Sequence, residues 1–285
     1  MSQPNQAAST AITTPAPTQE TPLQKLGRFL NSRTNQLAKY AGKQVDPTSM
    51  IRIAMFHAGQ DSKLAACDPG TFYVALLVCA QLGLEPSGLN GEAYLIPFRD
   101  NESKTTIVQV VPGYRGLIKL ALRSGKVKDI SAYVVRAGDE FAVWLGTRNE
   151  VIHQPTMAEA GEERPIVAAY AVATLADGSK KFEVLDAYDI KKVRDFATKR
   201  GESPAYKDWP EQMAKKAAIR RICKTLNLGP DHARAEMVDT LNDQAQATTT
   251  AAQAIGISAS DVIEAEVVEQ PTSKIAKLVE KAGDK

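Results

Sequence analysis

Lysine and arginine are missing altogether between Ala235 and Ser273, where seven acids stand (236, 239, 243, 261, 264, 266 and 269). That stretch is excluded as a phosphate-holding surface. Cysteine is scarce as well: Cys67, Cys79 and Cys223 are odd in number, lie in apolar company and show no metal-ligand spacing. A disulfide framework is excluded, and buried thiols in a reducing compartment are expected. The three histidines, His57, His153 and His232, are too scattered to suggest a zinc site. No apolar run reaches bilayer length, and the N-terminus lacks the basic-then-apolar order of a signal peptide, so a cytoplasmic protein without a membrane partner is expected. No GxxxxGK[ST] phosphate loop occurs; Ser124-Gly125-Lys126 has no glycine at the required upstream distance. An ATP-driven recombinase or helicase is disfavoured. No bHLH-like, zinc-finger or sharply defined helix-turn-helix pattern appears, which argues against an operator-reading regulator.

What is present is a chain of 285 residues, 44% apolar and 24% charged, enough for a sizeable core. The formal net charge of +2 conceals an uneven distribution. Between Ile190 and Lys224 eleven lysines and arginines (191, 192, 194, 199, 200, 207, 215, 216, 220, 221, 224) face four acids (195, 202, 208, 211). Such asymmetry points to a polyanionic partner. Asp208 to Leu226 reads as a helix, with Asp208 as cap, Pro210 in the first turn and Glu211 completing a capping box. Ile219, Ile222, Cys223 and Leu226 share one side, and Lys216, Arg220 and Lys224 recur every four residues on another, with Arg221 beside them. Lys215 falls near the apolar arc and is expected to point into a partly buried groove. With no acid after Glu211, this face repels itself unless a polyanion lies along it, although a merely solvated amphipathic helix is the bland alternative.

Residues 1–22, rich in Gln, Thr, Ala and Pro, read as a disordered arm, 23–238 as the core, and 239–285 as an acidic flexible tail with a short helix near its end. Leu23 to Ala41 reads as a surface or subunit-contact helix. Helices are expected after Asp46-Pro47 and after Asp68-Pro69, the second largely buried and stopped by Gly83. Hairpins are expected at Ala93–Phe98 with Thr105–Val111, where Pro97 marks an edge, and at Ile166–Leu175 with Lys181–Leu185. Between them lie a long strand, Val127 to Arg136, and β structure from Phe141 to Leu145. A helix runs from Asp186 through Phe196, and Gly201 to Lys207 reads as a loop. The fold class is α+β: antiparallel hairpins packed with helices around a groove. After Pro112-Gly113 a second basic stripe appears, with Arg115, Lys119 and Arg123 spaced four apart. Tyr114, Tyr206 and Trp209 are candidate stacking faces, though large aromatics more often fill cores. Asp100 with Glu102-Ser103-Lys104 is the local cluster that would suit a Mg²⁺ nuclease, but such a turn is expected for solubility alone.

Taken in order, Gln81-Leu82-Gly83-Leu84-Glu85-Pro86, Ala93-Tyr94-Leu95-Ile96-Pro97-Phe98, Gly113-Tyr114-Arg115-Gly116-Leu117-Ile118, Arg123-Ser124-Gly125, Gly138-Asp139-Glu140-Phe141 and Met213-Ala214-Lys215-Lys216-Ala217-Ala218-Ile219-Arg220-Arg221 resemble the RecT family of phage and prophage single-strand annealing proteins. The resemblance covers roughly Pro47 to Leu228. It implies an ATP-independent protein that coats single-stranded DNA, pairs it with a complement through an annealing-intermediate duplex, and assembles into homo-oligomeric rings or helical filaments. It implies a fold related to other annealing proteins, with a narrow DNA groove. By carry-over, Tyr114 and Arg115 lie near that groove and Lys215, Lys216, Arg220 and Arg221 hold phosphates. Lys119, Arg123 and Lys224 extend the set by helical spacing, and Lys191, Lys192, Lys199, Arg200 and Tyr206 complete the expected DNA-binding residues. The Pro-Trp seen in some relatives is replaced here by Pro204-Ala205-Tyr206, with Trp209 following. No catalytic residue and no required cofactor are expected, with Mg²⁺ at most a phosphate-screening ion. The resemblance also suggests a host single-strand binding protein and a companion exonuclease as partners; a Mg²⁺-dependent nuclease and a duplex-binding regulator are the competing readings. The acidic tail reads as a solubilising segment, a competitor for the basic groove, or a partner-docking segment.

Overall fold

The computed structural model describes residues 20–42, 45–99, 104–157, 159, 163–198, 204–243 and 248–266. Thr21 opens α1 (Pro22–Asn31) with a reciprocal capping box to Gln24, and α2 (Thr34–Tyr40) follows directly. Asp46 accepts the Ser49 amide to start α3 (Pro47–Gln60), and the single turn α4 (Ser62–Ala65) leads to α5 (Pro69–Leu82). Helix α5 is capped by Asp68 at one end and by Gly83 at φ +68° at the other, a left-handed stop that glycine takes without strain. It is apolar on every side, so it must be covered on every side. Its cover comes from α1, α2 and α3, from the hairpin β1 (Ala93–Arg99) and β2 (Thr106–Pro112), and from helices near the C-terminus.

After the hairpin come α6 (Tyr114–Arg123), β3 (Val127–Arg136), β4 (Glu140–Trp144), β5 (Glu150–Gln154), β6 (Ile166–Leu175) and β7 (Lys180–Asp186). Strands β3, β6 and β7 form an antiparallel sheet in that spatial order, with Ala171 opposite both Ala132 and Glu183. Strands β1 and β2 pair antiparallel with Pro97 opposite Val108, and β4 and β5 make a separate hairpin. The remaining helices are α7 (Ala187–Ala197), α8 (Pro204–Asp208), α9 (Pro210–Thr225), α10 (Pro230–Asp243), α11 (Thr248–Ala254) and α12 (Ala259–Glu266). The fold is therefore α+β with antiparallel sheets, as expected.

Several local expectations change. Leu23–Ala41 is two helices with mostly solvent-facing polar residues, and one side of them joins the core: Leu26, Leu30 and Leu37 are fully buried. The stretch read as a flexible tail from residue 239 continues α10 to Asp243 and holds α11 and α12, whose Ala251, Ala252 and Val262, with Ile255 and Ile257 between them, join the core beside α5. Tyr40 donates a 2.5 Å hydrogen bond to Asp261, fastening α12 to α2. Pro204 to Lys207, expected as loop, belong to helix α8, and the residue at the cap position of α9 is Trp209 rather than Asp208, with no side-chain cap. Glu211 therefore completes no capping box; it binds Lys215 and Arg136 instead. Strand β5 was not expected, because Glu150 to Gln154 is too short and mixed to announce itself. Residues 1–19 and 267–285 lie outside the described residues.

Candidate nucleic-acid interface

Helix α9 lies on the three-stranded sheet, and its residues explain how closely. Ala214, Ala218 and Ile222 are buried against a strand whose own core-facing side chains are Ala169, Ala171 and Ala173. Small side chains on both partners allow helix and strand to approach closely. Ile219, Ile222, Cys223 and Leu226 all lie in the core, as the periodicity predicts. Burial pushes the Cys223 thiol up to about 12, and does the same to Cys67 and Cys79. All three cysteines are free and buried.

The opposite face of α9 looks into a cleft of about 890 Å³ shared with α7. Lys216, Arg220, Arg221 and Lys224 line it from α9, Lys191 and Lys192 from α7, and Tyr206 from α8. Seven of the expected DNA-binding residues thus meet in one cleft. Tyr206 and Lys191 also line an adjoining cleft of about 640 Å³ that contains Arg136, Arg164 and Arg194 together with Glu163 and Glu211. Lys199 and Arg200 lie outside the described residues, as do Asp100, Glu102 and Ser103.

The acids missing from the α9 face are supplied by other elements. Arg220 pairs with Asp239 of α10, and Arg221 pairs with Asp189 of α7 and donates to the Val184 carbonyl. Lys215 sits 2.6 Å from Glu211, whose other oxygen accepts from Arg136 at 2.8 Å. Lys191 is 3.6 Å from Asp195. Among the described residues, Lys192, Lys216 and Lys224 have no carboxylate within ion-pair distance. Burial, aided by the neighbouring Arg220 charge and only partly opposed by Asp239, lowers the Lys216 pKa. An anion placed beside it would act in the opposite sense, favouring the charged ammonium.

The α6 stripe goes elsewhere. Tyr114 packs partly on the core, Arg115 is exposed with its Nε 3.3 Å from the Tyr114 hydroxyl, and neither lines the α7–α9 cleft. Lys119 is held 2.6 Å from Glu92. Arg123 donates to Asp231 at 2.8 Å and to the Leu82 carbonyl at 2.9 Å. The glycines of this motif are structural: a Cβ on Gly113 would stand 2.0 Å from the Gly91 carbonyl oxygen, and one on Gly116 2.1 Å from that of Glu92. Helix α6 thus presses its first turn against the backbone of residues 91–92.

Sequence reasoning missed Tyr188 and Phe196, which also line the cleft, and it missed what Asp139 does. Burial alone would raise the Asp139 carboxyl, but amide hydrogen bonds from Arg136 and Thr156, with those of Arg164 and His153, hold it well below the usual carboxylate range. His153 lies 3.2 Å from Asp139 and 3.2 Å from the Tyr170 hydroxyl, so the cluster clamps the β4–β5 hairpin to the sheet. Asp139 belongs to the Gly138-Asp139-Glu140-Phe141 motif, and that motif was the available signal. Among the described residues no group of three or more His, Cys, Asp or Glu side chains is placed to hold a metal ion, and no helix is long and apolar enough to cross a membrane.

Residues 48–255 match the model of the RecT family, a span that runs from α3 to α11 and includes the α7–α9 cleft. Over 215 residues the chain is 40% identical to Protein RecT of Escherichia coli (strain K12), covering 74% of this chain and 78% of that protein. The chain belongs to the RecT family of phage-type recombination and single-strand annealing proteins.

Proposed function

We propose that this protein binds single-stranded DNA in the α7–α9 cleft and anneals it to a complementary strand without ATP, acting as an oligomer whose neighbouring subunits extend the cleft. The observation that carries this reading is the convergence of Lys192, Lys216 and Lys224, three cations with no carboxylate partner among the described residues, on one concave surface that also holds Lys191, Arg220 and Arg221. Such a surface gains most from a chain of phosphates, because each neutralised phosphate releases condensed counterions. With one strand's charge masked, a second strand approaches with less repulsion, and Watson–Crick pairing supplies the specificity. The process needs positioning and electrostatics and breaks no covalent bond; Mg²⁺ acts at most as a screening ion.

The test mixes purified protein with complementary fluorophore- and quencher-labelled oligonucleotides in the absence of nucleotide. Pairing faster than that of protein-free strands, suppressed by salt, is expected. No acceleration, or shortening of the strands, would reject the proposal.

A further inference from the structure

Helix α7 has no buried residue, yet it carries Tyr188 at 72% exposure and Phe196 at 52%. Both line the cleft that holds the α9 cations. Tyr188, Lys192 and Phe196 stand at i, i+4 and i+8 and so share one helix face; Lys216, Arg220 and Lys224 repeat the same spacing on α9 across the cleft. One wall is thus aromatic, cationic, aromatic, and the other is cationic throughout. Each stripe runs about 12 Å, close to three or four stacked nucleotides.

We infer that Tyr188 and Phe196 form a base-stacking ledge, so that a single strand in the cleft lies with its phosphates towards α9 and its bases towards α7. This rests on the proposed single-strand binding and adds the orientation of the strand. The occupant follows from charge and shape together. Six cations and the acids Asp189 and Asp195 line the cleft, and Asp189 is already paired with Arg221. An acidic peptide would use the cations and leave the aromatic wall wet, whereas duplex DNA keeps its base faces hidden in the stack. A single strand offers both an anionic backbone and open π-faces, the pairing that sequence-tolerant single-strand binding uses. The position of Asp189 adds to this: pairing with Arg221 ties the first turn of α7 to α9 and fixes the ledge relative to the cations.

The test measures affinities of the full chain for a thymidine oligonucleotide and for a base-free backbone of equal phosphate number. Wild type is expected to prefer the thymidine strand. Tyr188→Ala and Phe196→Ala should each weaken thymidine binding roughly five- to a hundredfold, leave base-free binding unchanged, and leave the sedimentation of the free protein unchanged. Tyr188→Phe should retain wild-type affinity, since the ring and not the hydroxyl is used. Lys224→Ala should weaken both ligands alike. Equal wild-type affinity for the two ligands, or alanine variants that weaken both or neither, would overturn the ledge while single-strand binding stands. A change in oligomeric mass without base-dependent loss would assign these aromatics to a contact between copies and also overturn it. Failure of wild type to bind either ligand would remove the binding reading itself, and the ledge with it.

Discussion

Arg220 of α9 donates a hydrogen bond to the carboxylate of Asp239 on α10, a side chain only 5% exposed. The cation that periodicity places at the centre of the phosphate-holding stripe is thus already neutralised from behind. DNA must either share Arg220 with Asp239 or compete for it. Asp239→Asn should therefore tighten single-strand binding and steepen its salt dependence by about 0.7 in log K against log salt, one phosphate's worth. The same change should destabilise the protein by about 1–3 kcal/mol, below the full cost of breaking a wholly buried pair because Arg220 keeps partial access to water. Salt titration of binding and denaturant unfolding of the two proteins check both parts. Weaker binding by the variant would mean that Asp239 positions Arg220 for DNA instead of competing with it.

Arg220→Glu is a poor probe of the cleft, since it sets a new carboxylate against buried Asp239. Lys224→Gln is cleaner, because Lys224 is exposed, has no ion-pair partner among the described residues, and a neutral side chain there sets no new carboxylate beside Glu236. It should weaken single-strand binding by about 1–2 kcal/mol at low salt and reduce the salt slope by about 0.7, with the unfolding midpoint nearly unchanged. Lys119→Glu, on the α6 stripe outside the cleft, should lower stability by opposing Glu92 and leave the slope intact. Equal slope changes in the two variants would place DNA on both helices.

Both faces of α9 could be read from residue spacing, because a 3.6-residue period shows in one stretch of chain. Its charge balance could not. The acids that answer Lys119, Arg123, Arg220 and Arg221 are Glu92, Asp231, Asp239 and Asp189, all brought in by tertiary folding from 19 to 108 residues away in the chain. The C-terminal helices were hidden for a related reason. Thr248 to Ala254 reads as polar low-complexity chain, yet its buried Ala251 and Ala252 pack in the core beside α5. The readable signal lay in α5 itself, which is apolar all round and needs more cover than the elements nearest to it in sequence provide. Tyr188 and Phe196 escaped notice because aromatics on a short charged helix normally mark a core face, whereas the α7 residue packed against the core is Ile190.

Gly116→Ala should be damaging far beyond its size. The added methyl would meet the Glu92 carbonyl at 2.1 Å, and backbone cannot swing aside as a flexible side chain can. A loss of about 2–3 kcal/mol is expected from overpacking, with α6 displaced and the 2.6 Å Lys119–Glu92 pair broken. Gly125→Ala makes the control. No atom lies within 4 Å of its Cβ, so only the strain of φ +71° is felt, about 1 kcal/mol. Thermal unfolding of the two variants should rank them in that order; the reverse order would mean that the α6 approach is looser than described.

His232 makes stability depend on pH in a defined direction. Burial, with 2% of the side chain exposed, pushes its pKa down from an ordinary 6.5 to about 4. The unfolded chain therefore takes up a proton on this residue before the folded protein does. Its contribution is complete above about pH 6.5 and is lost as pH falls towards 4, at most on the order of 3 kcal/mol. The groups around it are Glu236, 3.7 Å away on the same helix, and Cys223, Lys224 and Asp239 close to Glu236. Burial raises the Glu236 carboxyl, so that group takes up a proton earlier in the folded state and offsets part of the loss. Asp139 is held the other way. Its depressed carboxyl contributes fully above the ordinary aspartate value and fails only in stronger acid, so the β4–β5 hairpin should outlast the docking of α10. Unfolding midpoints measured from pH 7 to 4.5 should fall for wild type and stay nearly level for His232→Gln. A slope that survives the substitution would place the titrating group elsewhere, and Glu236→Gln would then be expected to change it.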